Sequence, residues 1–294
     1  MSDYFSDEEI TAIKRGLSTD YNKGYQQGRA DAIDEIKENI HEIYKCQFYC
    51  MADMCEHDSP TVDMCIDCFY DAIKKREQMK IALIGATGFV GSAILKELAD
   101  RNHSIKAFSR NVSTDLGYKN VVGVPLDVNE VDALAADLKG ADVVVSAFNS
   151  GWTNPTIYED YLSGSKNIFE AVRKSGVKRL IVIGGAGSLF LDESMRVIDS
   201  PSFPEEIKPG AQAALEFLEF LETEKDIDWE FFSPAIEMHQ GTSGVRTGKY
   251  RLGLDNPVVN SEGRSILSVE DVAVVIADEV AKQNFTRRRF TAGY

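Results

Sequence analysis

Residues 79–98, MKIALIGATGFVGSAILKEL, constrain this chain more than any other stretch. A continuous apolar run, Ile81 to Ile84, is followed at once by Gly85, Gly88 and Gly91 in a G-x-x-G-x-x-G pattern. Helical spacing of Ala93, Ile94 and Leu98 comes next. An unbroken apolar run fits a parallel strand covered on both faces, not a strand with one wet side. In such a strand, turn and helix, the first glycine allows the tight turn and the second lets a pyrophosphate approach the backbone. The third permits close packing of helix on sheet. The helix N-terminus attracts the negative charge. The unit predicts a dinucleotide site carried by Gly85, Thr87, Gly88, Phe89, Val90 and Gly91.

The remainder alternates in the same way. Strands are expected at 105–108, 121–124, 143–147, 180–183 and 229–232, with helical patterns at 131–138, 158–174 and 211–224 between most of them. This predicts an α/β chain with a Rossmann-like, doubly wound parallel sheet and right-handed crossovers. The second strand ends in FSRN, where an acidic residue would hold the ribose 2′-hydroxyl of NAD. Ser109 and Arg110 stand there instead, and a hydroxyl beside a guanidinium suits a 2′-phosphate, so NADP(H) is favoured over NAD(H). Asp127 and Val128 follow the third strand, with Asp127 placed to accept from the adenine amino group. Ala147, Phe148 and Asn149, after the fourth strand, are expected to line the ribose and nicotinamide side. Gly184 and Gly185, after the fifth, complete the cofactor set.

At 294 residues the chain has room for more than one folding unit. Residues 1–78 read as a small acidic, helical, cysteine-rich module, and 79–294 as the nucleotide-binding domain with a small C-terminal substrate region. The first 78 residues hold 17 Asp and Glu against 9 Lys and Arg, which ordinary solvated helix faces explain. All five cysteines lie there, spaced C-x3-C-x4-C-x9-C-x2-C from Cys46 to Cys68. Three readings stay open. The thiols are buried hydrophobes in a reducing compartment; or Cys50, Cys55, Cys65 and Cys68, with His57 as a substitute, hold a structural zinc; or they serve disulfide or redox chemistry.

A formal net charge of −15 argues against a nucleic-acid surface, which needs clustered cations. No apolar run approaches the roughly 20 residues that span a bilayer. The start, MSDYFSDEEI, lacks the basic and apolar regions of a signal peptide. A soluble, cytoplasmic protein without nucleic-acid or membrane partners is expected.

The motifs MKIALIGATGFVGSAI, VVSAFNSGW, GVKRLIVIGGAGSL, DWEFFSPA, RTGKYRLG, SVEDVA and RRFTAGY together cover nearly all of 79–294. On them, this region resembles the atypical short-chain dehydrogenase/reductase group of NAD(P)H-binding proteins and NADH-flavin reductases, close to the biliverdin reductase B and flavin reductase type. In that group the chain ordinarily begins at the position of Met79, and residues 1–78 have no counterpart. The resemblance implies an NADPH-dependent reductase whose small-molecule acceptor is a flavin or another conjugated compound.

Most short-chain dehydrogenases use Tyr-x-x-x-Lys, with tyrosine as general acid. Here Tyr161 is followed four positions later by Ser165, with Lys166 one place late, and both precede the fifth strand instead of following it. Lys208 lies downstream without a tyrosine partner. Hydride transfer to a conjugated acceptor needs only positioning and a proton from solvent. The catalytic candidates are then Ser188, where the family's serine would stand, and His239 as a proton donor. Phe148, Trp152, Tyr158, Phe190 and Phe203 are candidate aromatic walls for a planar acceptor. Arg246, Lys249 and Arg251 read equally as an anion subsite or a hairpin edge. Ser268 with Asp271 reads as a helix start. The alternative to an enzyme is a non-catalytic NADP sensor whose N-terminal module contacts a protein partner.

Overall fold

A computed structural model describes residues 78–294. The expected acidic module and its candidate zinc ligands Cys50, Cys55, Cys65 and Cys68 lie outside the described residues. Eight strands form one sheet: β1 (Lys80–Ile84), β2 (Ser104–Ser109), β3 (Val121–Pro125), β4 (Val143–Ser146), β5 (Arg179–Ile183), β6 (Asp228–Ser233), β7 (Arg251–Gly253) and β8 (Arg288–Gly293). Their order is β3-β2-β1-β4-β5-β6-β8-β7. Every neighbouring pair is parallel except β7 with β8. The α/β, mostly parallel architecture expected from the alternating pattern is thus present, with its winding reversed between β1 and β4. β8 was not foreseen, and β7 falls in the stretch that reads equally as an anion subsite or a hairpin edge.

Five helices cover the two faces: α1 (Phe89–Asp100), α2 (Val131–Leu138), α3 (Ile157–Ser175), α4 (Lys208–Thr223) and α5 (Val269–Lys282). Strand alternation sorts the core. Ile81 and Leu83 face α1 and α5, together with Phe232 and Phe290. Ala82 and Ile84 face α2, α3 and α4, with Phe217 and Phe231. Each large side chain removed from water in this way contributes about 1.5–3 kcal/mol. α5 starts as the sequence implies: the Ser268 hydroxyl accepts from the Asp271 N–H at 3.1 Å.

Asp271 is fully buried and ties down the segment before β7. Its carboxylate accepts from the Thr247 and Gly248 N–H groups and from the Thr247 and Tyr294 hydroxyls. Arg246 grips Glu97 of α1 with two bonds of 2.9 Å, and Arg251 donates to the main-chain oxygens of Val259 and Tyr294. The stretch ends in an edge strand, as one of the two readings has it, but that strand pairs with the distant β8 and forms no hairpin. At the opposite margin, the chain at 113–114 closes over β3, with the Gly123 N–H donating to the Thr114 oxygen at 3.0 Å.

Deep between β5, β6 and α5, Arg179 meets two buried carboxylates. Its Nε donates to Glu230 at 2.7 Å, and its terminal nitrogens donate to the carbonyls of Glu279 and Val280. Glu279 also accepts from Asn284 and from the Phe285 N–H. Burial, above all, pushes the Glu230 carboxyl up to about 7 from its ordinary 4.5. A carboxyl raised in the folded state holds its proton more tightly there. The stability it adds is complete below its unfolded value and fades as pH rises through about 7. Thermal melting is therefore expected to fall between about pH 5 and pH 7, and Glu230→Gln to flatten that fall. Arg179→Met, which strands both carboxylates, is expected to cost about 3–5 kcal/mol in denaturant titration.

Candidate functional site

The site lies at the carboxyl ends of β1 to β4, where the winding reverses and open α/β sheets take ligands. The turn after β1 hangs on β2: the Gly85 and Ala86 N–H groups both donate to the Phe108 oxygen, at 2.9 and 3.2 Å. Gly85 has φ +78, and a Cβ there would come within 2.5 Å of the Ala147 oxygen. A Cβ on Gly91 would lie 2.0 Å from the Gly85 oxygen, so this glycine lets α1 press onto the turn. Gly88 differs, because a Cβ there would meet only the Gly85 oxygen at 3.3 Å. Its missing side chain leaves space beside the helix start rather than contact within the chain.

No side chain caps α1, and its first turn carries no acidic residue. The N–H groups of Phe89, Val90 and Gly91 precede the first possible helical acceptor. An uncapped, glycine-headed helix of this kind is chemically suited to a pyrophosphate.

A cleft of about 330 Å³ opens beside it. Of the residues expected to hold cofactor, it brings together Gly85, Thr87 and Gly88 from the β1 turn, Ser109 and Arg110 from β2, and Asp127 and Val128 from β3. Ala147, Phe148 and Asn149 close it from β4. The Thr87 and Ser109 hydroxyls share a 2.8 Å hydrogen bond that links the first two of these ends. Arg110 is exposed beside them. The Asp127 carboxylate is fixed at the cleft by accepting from the Asn129 N–H at 2.9 Å. Phe148 stacks on Tyr161 at 6.0 Å, and its ring fills the space that a Cβ on Gly164 would need.

Sequence reasoning missed Asn129, Ser150, Asn154, Asp160 and Ser163, which complete the polar lining. Asn154 and Thr156 both bond Asp160 at the start of α3, and the Asn154 bond, then the Thr156 bond, holds its carboxyl below the ordinary range. The Asn154-Pro155 sequence ahead of a helical pattern is the signal that marked such a polar entry.

The other expected residues stand elsewhere. Phe89, Val90 and Gly91 belong to α1 and offer main chain only. Gly184 does not face the cleft: a Cβ there would lie 2.0 Å from the Phe231 ring, so it is a packing glycine. Gly185 likewise does not line the cleft. Ser188 is 2% exposed, its hydroxyl bonded to the Gly185 oxygen at 3.0 Å and the Ser233 hydroxyl at 2.8 Å. His239 is exposed at the head of a short 3-10 turn, where its Nδ1 accepts from the Gly241 N–H at 3.0 Å. The two catalytic candidates are therefore not brought together, and neither lines this cleft.

Nor do the aromatics form a wall. Tyr158 donates to Glu216 at 2.7 Å between α3 and α4, and Phe203 packs on Ile198, Ala211 and Leu215. Phe190 lies against the guanidinium groups of Arg196 and Arg289, at 5.2 and 5.3 Å. Trp152 is 58% exposed, leaving Phe148 as the wall residue within the cleft. Tyr161 lies buried behind Phe148, and burial pushes its hydroxyl up to about 12, so it is a weaker acid than a free tyrosine. Lys166 sits over the Phe220 ring at 5.5 Å. Among the described residues, no cluster of three or more His, Cys, Asp or Glu is placed to hold a metal, and no helix is long and apolar enough to cross a membrane.

Comparison with known proteins agrees with this geometry. Residues 85–283 match a family described as NAD(P)H-binding. The uncharacterized protein YwnB of Bacillus subtilis is 37% identical over 215 residues, which span 72% of this chain and 97% of that protein. A crystal structure of a presumed epimerase from Bacteroides thetaiotaomicron is 43% identical and superposes with a TM-score of 0.67, over 74% of this chain and 97% of that one. One of a presumed NADH-flavin reductase from Streptococcus pneumoniae is 32% identical, with a TM-score of 0.63 over 73% and 99%.

Proposed function

Because this chain belongs to the NAD(P)H-binding family, we propose that it is an NADPH-dependent reductase acting on a flavin-like or other conjugated small molecule. The observation that carries this reading is the pairing of an uncapped, glycine-headed helix with Arg110 at the edge of one cleft. When bound, the dinucleotide supplies the hydride. The main-chain N–H groups of Phe89 and Val90 hold its pyrophosphate. Arg110, with the Thr87 and Ser109 hydroxyls, holds the adenosine 2′-phosphate, and Asp127 accepts from the adenine amino group. Asn149 and Phe148 border the ribose and nicotinamide side, where Phe148 also excludes water.

Tyr161 does not serve as the acid here, since it is buried behind Phe148 and does not line the cleft. That supports an acceptor protonated by solvent, as a reduced flavin is. The test mixes purified protein with NADPH and FMN or a quinone and follows absorbance of the reduced nicotinamide. Turnover is expected, faster with NADPH than with NADH.

The sealed hydroxyl of Ser188 favours a second reading: a non-catalytic NADP sensor in the cytoplasm, whose residues 1–78 contact a protein partner. Tight NADPH binding without turnover on any acceptor supports that reading instead.

A further inference from the structure

We infer that Asp160 anchors a vicinal pair of sugar hydroxyls in the cleft, a reading that rests on the reductase function above and deepens it. At such a site the pair has two sources: the ribose on the nicotinamide side of the dinucleotide, or the ribityl chain of a flavin acceptor. Asp160 lies in the first turn of α3 and lines the same cleft as Asn149, Ser150 and Asn154, which follow β4. Its bond from Asn154 ties it to that side of the cleft, the one that borders the ribose and nicotinamide in the function proposed.

The other polar side chains of this wall are largely spent within the protein. Ser150 donates to the Ile157 oxygen at 3.3 Å. Asn154 uses both ends of its amide, accepting from the Thr156 N–H at 3.1 Å and donating to Asp160 at 2.8 Å. Asn129 gives its oxygen to Asn167 at 3.0 Å. Asp160 differs. Its bonds from Asn154 and from the Thr156 hydroxyl, both 2.8 Å, reach one carboxylate oxygen, Oδ2. Among the described residues the other oxygen, Oδ1, has no partner.

Capping a helix does not account for this arrangement. A carboxylate at a helix start stabilises it chiefly by accepting from a free main-chain N–H. Asp160 accepts from two side chains instead, and Thr156, at the N-cap, makes no side-chain cap bond either. Two donors thus aim one carboxylate and favour its ionised form, while an acceptor stays free on the cleft wall. A sugar diol is the complement of such a group: it is neutral, offers O–H donors, and forms charge-assisted hydrogen bonds with a carboxylate. Nucleotide sites of NAD enzymes read a ribose hydroxyl by the same chemistry. Ser163, three positions along α3 and on the same face, adds a hydroxyl next to it on the lining.

The test compares the full chain with Asp160→Asn, which keeps an acceptor for Asn154 and Thr156 and turns the free one into a donor. Calorimetry measures NADPH and adenosine 2′,5′-bisphosphate, which lacks the nicotinamide ribose. Fluorescence quenching measures FMN and lumiflavin, which lacks the ribityl chain. If the cofactor's ribose is held, the NADPH Kd rises about tenfold and the bisphosphate Kd stays within about twofold. If the flavin chain is held, the FMN Kd rises about tenfold and the lumiflavin Kd stays within about twofold. Either result supports the proposal and identifies the source. Unchanged affinity for both NADPH and FMN overturns it, as does an equal loss for the bisphosphate and NADPH. A fall in melting temperature with equal losses for every ligand marks a structural role and overturns it too. Should FMN not bind the wild type, the NADPH comparison decides alone. All four readouts are binding measurements, so a wild type that binds NADPH but oxidises none with any acceptor removes the reductase reading and leaves this test standing.

Discussion

Gly91→Ala is expected to abolish NADPH binding in calorimetry and to leave little folded protein. The added methyl would stand 2.0 Å from the Gly85 oxygen, 2.8 Å from its carbonyl carbon and 3.1 Å from the Ala86 Cα. All three are backbone atoms, so no side-chain rotation relieves the clash, and α1 must lift away from the turn that anchors it to β2. Overpacking a tight interior typically costs about 1–3 kcal/mol, and a collision with main chain on every side belongs at or above the top of that range. Gly88→Ala provides the contrast. Its methyl meets one oxygen at 3.3 Å, so melting is expected to move by only a few degrees while NADPH affinity falls at least about tenfold. Equal effects of the two substitutions on folding would contradict the division of labour between these glycines.

The second large effect is expected at Arg110. A hydrogen bond to a charged group is worth about 1.5–3 kcal/mol, which corresponds to roughly 10–100-fold in affinity. Arg110→Asp is expected to weaken NADPH binding by that factor and to change NADH binding far less, or to improve it, because a carboxylate accepts from the ribose 2′-hydroxyl. The residue is exposed and bound by no element of the core, so melting should not change. An NADPH Kd that stays put would mean that the 2′-phosphate is read elsewhere, with the Thr87 and Ser109 hydroxyls the next place to look.

What the sequence disclosed about this site and what it concealed divide along chain distance. The β1 turn was legible because every duty of its glycines is local, and the ends of β2, β3 and β4 followed from counting strands. Side chains whose surroundings come from far along the chain were misread. Arg246 reads equally as part of an anion subsite or of a hairpin edge until Glu97, 149 positions away, is seen in its grip. Ser188 reads as a catalytic candidate until Ser233 closes on it. The aromatics suggested a wall because nothing near Tyr158 or Phe190 in sequence announces Glu216, Arg196 or Arg289. β8 escaped notice for a related reason. Its run of arginines resembles a solvated tail, although Arg289 faces inward and Phe290 to Ala292 are buried.

The sheet's two margins carry a consequence for life at high concentration. A bare outer strand is a template on which another molecule can add its own strand and begin a fibril. Neither margin offers one. At β3, the covering chain at 113–114 has already taken the Gly123 amide, and Pro125 withholds another. β7 is only three residues long and begins with a charged arginine. An intruding strand would find too few free amides in register to hold it, so crowding should leave the folded protein dispersed rather than drive it into β-rich aggregates.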